Sequence, residues 1–191
     1  MRFRKTLSFD EERKYLRAAA PVLRDVAITM VEMGLRPGEI FQLRSEDVRV
    51  EPPAPYVHVR EGKSDRAVCD VPITARALSV FKRRLSKARG EYLFPRRVGN
   101  GYDWTRPMAE IEPAHLRALH KSGIQPPLRL YDLRHTYGTR AIEAGIDVFS
   151  VAKLMGHADL SATHRYVHLS KGHLEDAQKK IERFRARQRS L

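Results

Sequence analysis

The chain has 191 residues, which is enough for one sizeable hydrophobic core. Its 36 Lys and Arg residues outnumber its 23 Asp and Glu residues, and the net charge of +13 predicts a polyanionic partner, with nucleic acid first. A single cysteine excludes a disulfide framework and a multi-cysteine zinc site. No apolar run has the length of a signal peptide core or a membrane span, so we expect a cytoplasmic protein that does not enter a membrane.

The first part of the sequence predicts three helices. Ser8 and Glu11 have the spacing of a capping box at the start of the first helix. Pro21 suits the first turn of a second helix, which the pattern ends at Gly34. Pro37 begins a third.

A β-hairpin is predicted next, from residues 56–60 and 67–71 around a polar turn that contains Lys63. Thr74 then caps a helix that the pattern ends near Gly90. Together with the helices around it, the hairpin predicts a mainly α-helical α+β fold with a small antiparallel β-sheet.

Segment 96–106 is predicted to be a loop, and a helix is predicted from Pro113 to Gly123. Further helices end at Gly145 and Gly156, with Asp147 as the cap between them.

The C-terminal stretch, residues 170–191, has apolar residues at helical spacing among many basic ones. The apolar stripe consists of Leu174, Ala177, Ile181 and Phe184. Such a helix can lie on DNA, dock on a neighbouring subunit, or pack on its own core with a solvated basic face, and the pattern leaves these three open.

Breaking a phosphodiester without a metal requires a nucleophile, cations for the non-bridging oxygens and an acid for the leaving oxygen. Arg36 lies at a helix junction with Glu39 placed to orient it, and Arg134 lies at the start of a later helix. Two guanidinium groups can bind phosphate oxygens bidentately, which lysines cannot do. His164 and His168 share a helical spacing but lack an evident third ligand, so no metal or other cofactor is expected.

His157 follows a glycine, and Tyr166 comes nine positions later. Each residue alone is more often a packing or helix-end residue. The order Gly-Leu-Arg, Lys, Asp-Leu-Arg-His-Thr, Leu-Met-Gly-His, Tyr, however, resembles the tyrosine recombinase (phage integrase) family across nearly the whole chain. The resemblance implies a catalytic domain over residues 1–169 that recombines specific sites on double-stranded DNA, with self-association into a tetrameric synapse.

The resemblance also implies a role for each matching residue. Tyr166 would attack the scissile phosphate and form a 3′-phosphotyrosyl link, while Arg36 and Arg134 stabilise the transition state. Lys63 would protonate the leaving 5′ oxygen, and His157 would contact the phosphate and assist Tyr166. The link conserves the bond energy, so ATP is not needed.

The chain departs from the family pattern in two places. Tyr131 occupies a position where the family usually has histidine, and we expect it to support the phosphate by a hydrogen bond. The sequence begins at the first helix of the catalytic domain, so we expect the usual N-terminal DNA-clamping domain to be absent. Alternative interpretations are a type IB-like topoisomerase and a catalytically idle DNA-binding protein.

Overall fold

The structure is a computed structural model that describes residues 5–60, 69–157 and 178–183. Its helices are α1 (Phe9–Ala18), α2 (Pro21–Met33), α3 (Pro37–Phe41), α4 (Ala75–Leu85), α5 (Glu112–Ser122), α6 (Leu130–Glu143) and α7 (Val148–Leu154), and residues 178–183 are also helical. Its strands are β1 (Val48–Arg49), β2 (Tyr56–Val59), β3 (Cys69–Pro72), β4 (Pro95–Val98) and β5 (Gly101–Pro107). The predicted α+β fold, mainly helical with small antiparallel sheets, is confirmed.

Helix α2 forms the centre of the core. It packs against both α4 and α6, while α1 packs on α5. Leu23, Val26 and Met30 follow one another at helical spacing along α2 and are fully buried. Helix α2 thus joins the packing of α4 to that of α6.

The caps predicted for three of these helices are present. Ser8 and Glu11 form the capping box of α1, with each side chain bonded to the other residue's backbone N–H. Thr74 caps α4 and Asp147 caps α7. Helix α4 ends at Leu85 rather than near Gly90, and a turn follows it.

The predicted hairpin forms β2 and β3, with Val57 opposite Val71 and Val59 opposite Cys69. Strand β1 pairs with β2 and completes a three-stranded antiparallel sheet. The turn between β2 and β3, with Lys63, lies outside the described residues.

The prediction of a loop over residues 96–106 is wrong. Strands β4 and β5 form an antiparallel hairpin there, with Arg97 opposite Tyr102. Most of β4 is exposed and β5 has no fully buried residue, so the apolar and polar alternation that indicates a half-buried strand is missing from the sequence.

The short helix at residues 178–183 has every side chain at the surface, and Ile181 is 46% exposed. Ile181 is thus not buried in the core of its own chain. The other members of the predicted apolar stripe lie outside the described residues. Among the described helices, none combines the length and the apolar character needed to cross a membrane.

Candidate active site

A buried carboxylate joins the two predicted site arginines. Glu39, whose side chain is 7% exposed, pairs through one oxygen with the Arg36 guanidinium. Its other oxygen accepts the backbone N–H of Arg36 at 2.7 Å and lies 3.7 Å from Nη1 of Arg134. One anion therefore brings both guanidinium groups to the same place, and we call these three residues the arginine–glutamate cluster.

The end of α2 provides a second anchor for this cluster. Gly34 closes α2 in the left-handed conformation, with φ of 68°, and its carbonyl oxygen accepts a hydrogen bond from Arg134. A Cβ atom at Gly34 would lie 2.4 Å from Cδ1 of Tyr137. Only glycine therefore allows the Tyr137 ring on α6 to pack against the end of α2.

The C-terminal end of α7 provides a third anchor. Nη2 of Arg36 donates to the carbonyl oxygen of Gly156 at 3.0 Å, and the Arg134 guanidinium donates to that of Met155. Both arginines are thus bonded to the residues immediately before His157.

A helix-ending motif fixes the backbone at His157. Gly156 has φ of 58° and donates to the carbonyl of Lys153, and His157 donates to the carbonyl of Ala152 at 2.9 Å. These two bonds form a Schellman motif, which requires a residue in the left-handed conformation. The glycine in Gly156-His157 therefore turns the chain so that His157 follows directly on the cluster.

The two arginines differ in their access to a ligand. The Arg134 side chain is 2% exposed, whereas Arg36 is 22% exposed. Burial by itself would lower the pKa of Arg36, but the Glu39 carboxylate and, to a smaller extent, the Tyr131 hydroxyl raise it above its usual value. The Tyr131 side chain interacts with Arg36 and remains 49% exposed. A phosphate approaching from solvent would therefore meet Tyr131 and Arg36 first.

Four of the six predicted site residues are brought together: Arg36, Tyr131, Arg134 and His157. Lys63 and Tyr166 lie outside the described residues. Arg134 is the fifth residue of α6 rather than part of its first turn. It reaches the cluster because a helical residue one turn from the N-terminus can face the packed α2, and α2 and α6 are in contact.

Sequence reasoning identified Glu39 as a partner of Arg36 but missed its contact with Arg134. It also missed the carbonyl groups of Gly34, Met155 and Gly156 as arginine acceptors. Gly34 and Gly156 offered a signal for these acceptors, because each glycine ends a helix, and the end of a helix leaves carbonyl groups that a cation can bind.

A buried hydrogen-bonded pair supports the segment that leads into α6. His115 on α5 and Tyr15 on α1 are both fully buried. His115 Nε2 lies 3.1 Å from the Leu128 carbonyl oxygen and so must donate to it, which leaves Nδ1 to accept from the Tyr15 hydroxyl at 2.6 Å. Burial lowers the pKa of His115, against smaller opposing effects of Leu128, Glu112 and Asp132.

Metal binding finds no support in the part of the chain that the structure describes. No group of three or more His, Cys, Asp or Glu side chains there could hold an ion. The pair His164 and His168 lies outside the described residues.

Comparison with known proteins agrees with this arrangement. The model of the phage integrase family matches residues 5–173. The chain belongs to the phage integrase family of tyrosine recombinases. Within this family it is 31% identical over 185 residues to the tyrosine recombinase XerA of Pyrococcus horikoshii, covering 93% of this chain and 61% of that protein. It is 29% identical to the tyrosine recombinase XerD of Listeria innocua, covering 93% of this chain and 62% of that protein.

Solved structures show the same fold. The Tn1549 transposon integrase, in complex with circular intermediate DNA, matches with a TM-score of 0.75 at 20% identity, over 95% of this chain and 68% of that one. The catalytic domain of bacteriophage HP1 integrase matches with a TM-score of 0.61 at 18% identity, over 93% of this chain and 95% of that domain. The chain thus has the catalytic-domain fold and spans about three-fifths of the length of its curated relatives.

Proposed function

We propose that this chain carries out site-specific recombination by cleaving and rejoining double-stranded DNA through a 3′-phosphotyrosyl intermediate on Tyr166. The observation that carries the proposal is the arginine–glutamate cluster: two guanidinium groups held at one carboxylate, next to His157, in a member of the phage integrase family. A net charge of +13 suits the DNA partner.

The described residues supply the electrostatic part of the reaction. During phosphoryl transfer negative charge builds on the non-bridging oxygens, and donors fixed in advance stabilise it without reorganisation. Arg36 is fixed by Glu39 and by the Gly156 carbonyl, and Arg134 by three partners on three elements. Arg36 and Tyr131, which are partly exposed, would contact the phosphate oxygens first.

The covalent step would proceed as follows. The Tyr166 oxygen forms a bond to phosphorus while the bond from phosphorus to the 5′ oxygen breaks. The phenol proton passes to a base, a role that the family resemblance gives to His157, and Lys63 gives a proton to the departing 5′ oxygen. Rejoining is the reverse reaction with a 5′ hydroxyl of another strand. The roles of Lys63 and Tyr166 rest on the family resemblance.

We infer that the protein also self-associates on DNA, in line with a tetrameric synapse. The exposed Ile181 in the helix at 178–183 supports docking of the stretch 170–191 on a second copy. Replacing Ile181 with Asp should weaken assembly on DNA, as measured by light scattering of the complex, while leaving the binding of one copy intact.

Covalent capture tests the cleavage proposal. The protein is incubated with a library of randomised nicked duplexes, denatured and digested, and the peptide that retains a nucleotide is identified by mass spectrometry. We expect the nucleotide on Tyr166, loss of the adduct in Tyr166→Phe, and an adduct in Tyr131→Phe. An adduct that survives Tyr166→Phe and disappears in Tyr131→Phe would overturn the assignment of the nucleophile.

The same experiment separates the alternatives. Binding to a DNA site without any adduct would indicate an idle DNA-binding protein. An adduct combined with relaxation of supercoiled DNA, but without exchange between two sites, would indicate a topoisomerase.

A further inference from the structure

A groove of about 1090 Å³ lies at the end of α2 opposite the arginine–glutamate cluster. Its walls are the N-terminal half of α2, the C-terminal end of α4 with the residues that follow, and strand β5. The basic wall carries Arg83, Lys87 and Arg89, and the facing wall carries Tyr102 and Trp104. We call this feature the hairpin groove.

The basic wall keeps an excess of positive charge. Asp25 is 5% exposed and is, among the residues that the structure describes, the one acid that lines the groove; it pairs with both Arg83 and Arg84, the latter at 2.7 Å. It thereby fixes two guanidinium groups with one negative charge. Lys87 and Arg89 are exposed, and neither forms an ion pair with any carboxylate of the described residues. The wall is therefore open to an anionic ligand.

The opposite wall is aromatic. Tyr102 and Trp104 are two positions apart on β5, which places both side chains on one face of the strand, and their ring centroids are 6.1 Å apart. Tyr102 is 48% exposed. The carbonyl of Trp104 accepts from Tyr92 at 3.3 Å, and a Cβ atom at Gly90 would lie 2.7 Å from Cβ of Trp104. The close approach at Gly90 thus sets the aromatic wall against the end of α4.

A single strand of nucleic acid has the chemistry that these two walls match. Its phosphates can follow a cationic wall while its unpaired bases stack on exposed rings. In a duplex the bases stack on one another and do not present their faces. We propose that the hairpin groove binds unpaired single-stranded DNA.

The groove is long enough for more than one nucleotide. Beyond Tyr102 it continues into a second cavity of about 710 Å³, which shares Pro21, Val22, Pro95 and Tyr102 with the first. Arg96, Arg97 and Arg117 line this second part together with the acidic Glu110. The positive charge therefore extends on both sides of the exposed tyrosine ring.

The groove is separate from the cleavage cluster. The groove residues of α2 run from Pro21 to Ile28, and along the helix axis they lie about 9 to 20 Å from Gly34 at the cluster. In strand exchange, a cleaved duplex releases an unpaired strand, and the hairpin groove would hold it away from the cluster. That use rests on the proposed function, whereas the binding itself does not.

Trp104 is the only tryptophan of the chain, so its fluorescence reports directly on the groove. The full chain is titrated with a short oligothymidylate, and with a duplex of the same length. We expect saturable quenching by the single strand that weakens with salt, and quenching by the duplex only at about tenfold higher concentration or more, because the duplex binds at the cleavage cluster away from Trp104. Tyr166→Phe should bind the single strand unchanged, so the result does not depend on cleavage.

Matched variants locate the site. Lys87→Ala combined with Arg89→Ala, or Tyr102→Ala alone, should weaken binding by about tenfold or more, whereas Tyr102→Phe keeps the ring and should keep the affinity. Arg13→Ala combined with Lys14→Ala removes the same charge from the exposed surface of α1 and serves as the control. Equal quenching by duplex, absence of quenching, or an equal loss in the α1 control would each overturn the proposal.

Discussion

The two ends of helix α2 hold positive charge in opposite ways. At the C-terminal end Arg134 is buried and bonded to a carboxylate and two carbonyl groups, and Arg36 is held by Glu39 and Gly156. At the N-terminal end Lys87 and Arg89 point into solvent. Fixed cations suit a transition state, because their desolvation and ordering are completed on folding. Exposed cations that are not ordered by a buried carboxylate suit a ligand whose shape varies.

Removing a cation at the buried end should have the largest effect. In Arg134→Ala, two carbonyl groups lose their hydrogen-bond donor and Glu39 loses one of its two cations. We expect the free energy of unfolding to fall by about 3–5 kcal/mol. Urea denaturation measures this loss. The control, Lys87→Ala with Arg89→Ala, should stay within about 0.5 kcal/mol. Similar losses in both would contradict the contrast between the two ends.

Arg36 should affect chemistry more than stability. Its side chain is 22% exposed, and it would contact the developing charge directly. We expect Arg36→Ala to slow formation of the covalent adduct by about 10²–10³-fold, the effect of losing one transition-state donor. Single-turnover capture on a nicked duplex gives the rate. A rate unchanged from wild type would remove Arg36 from the proposed site.

A pair of glycines tests the packing at the end of α2. Gly34 and Gly123 have nearly the same φ, 68° and 64°, but only Gly34 has a neighbour, Tyr137, where a Cβ would be. Gly123→Ala should cost about 1–2 kcal/mol for the left-handed backbone. Gly34→Ala should cost clearly more and should also slow cleavage, because the Gly34 carbonyl holds Arg134. Equal losses of the free energy of unfolding in the two variants would show that the Tyr137 ring moves aside without cost.

The contribution of the buried Tyr15 and His115 pair to the free energy of unfolding should depend on pH. The pKa of His115 in the folded chain is below its usual value of about 6.5, so the unfolded chain binds more protons as the pH falls past that value. The contribution of His115 to the free energy of unfolding is therefore fully present above about pH 6.5. It decreases below that pH, by up to about 1.4 kcal/mol per pH unit. Denaturation at several pH values should show a shallower dependence in His115→Gln. The exposed His120 on the same helix provides the control substitution, His120→Gln, which leaves the hydrogen bond between Tyr15 and His115 intact.

The smallest effect is expected at the N-terminal cap of α1. Ser8→Ala removes the side chain that caps α1, and the free energy of unfolding should fall by about 1 kcal/mol. Adduct formation should be unchanged at a temperature where the variant is folded. A slower adduct would mean that α1 contributes to the cluster.

Local signals predicted much of the fold. The capping box at Ser8, the end of α2 at Gly34, the cap at Asp147 and the β2–β3 hairpin depend on residues a few positions apart, and all are present. The β4–β5 hairpin was not predicted because its strands are mostly exposed, and a strand that buries neither face has no periodic pattern of apolar residues.

The amino-acid sequence by itself determined which groups are available for the chemistry: two arginines, a histidine after a helix-ending glycine, and a tyrosine at the family's spacing. The tertiary structure decided that Glu39 serves both arginines, that three carbonyl groups hold them, and that Tyr102 and Trp104 line one groove with Lys87 and Arg89. These contacts join residues from distant helices and strands. Spacing within one helix or strand cannot encode them, because they depend on how α2 packs against its neighbours.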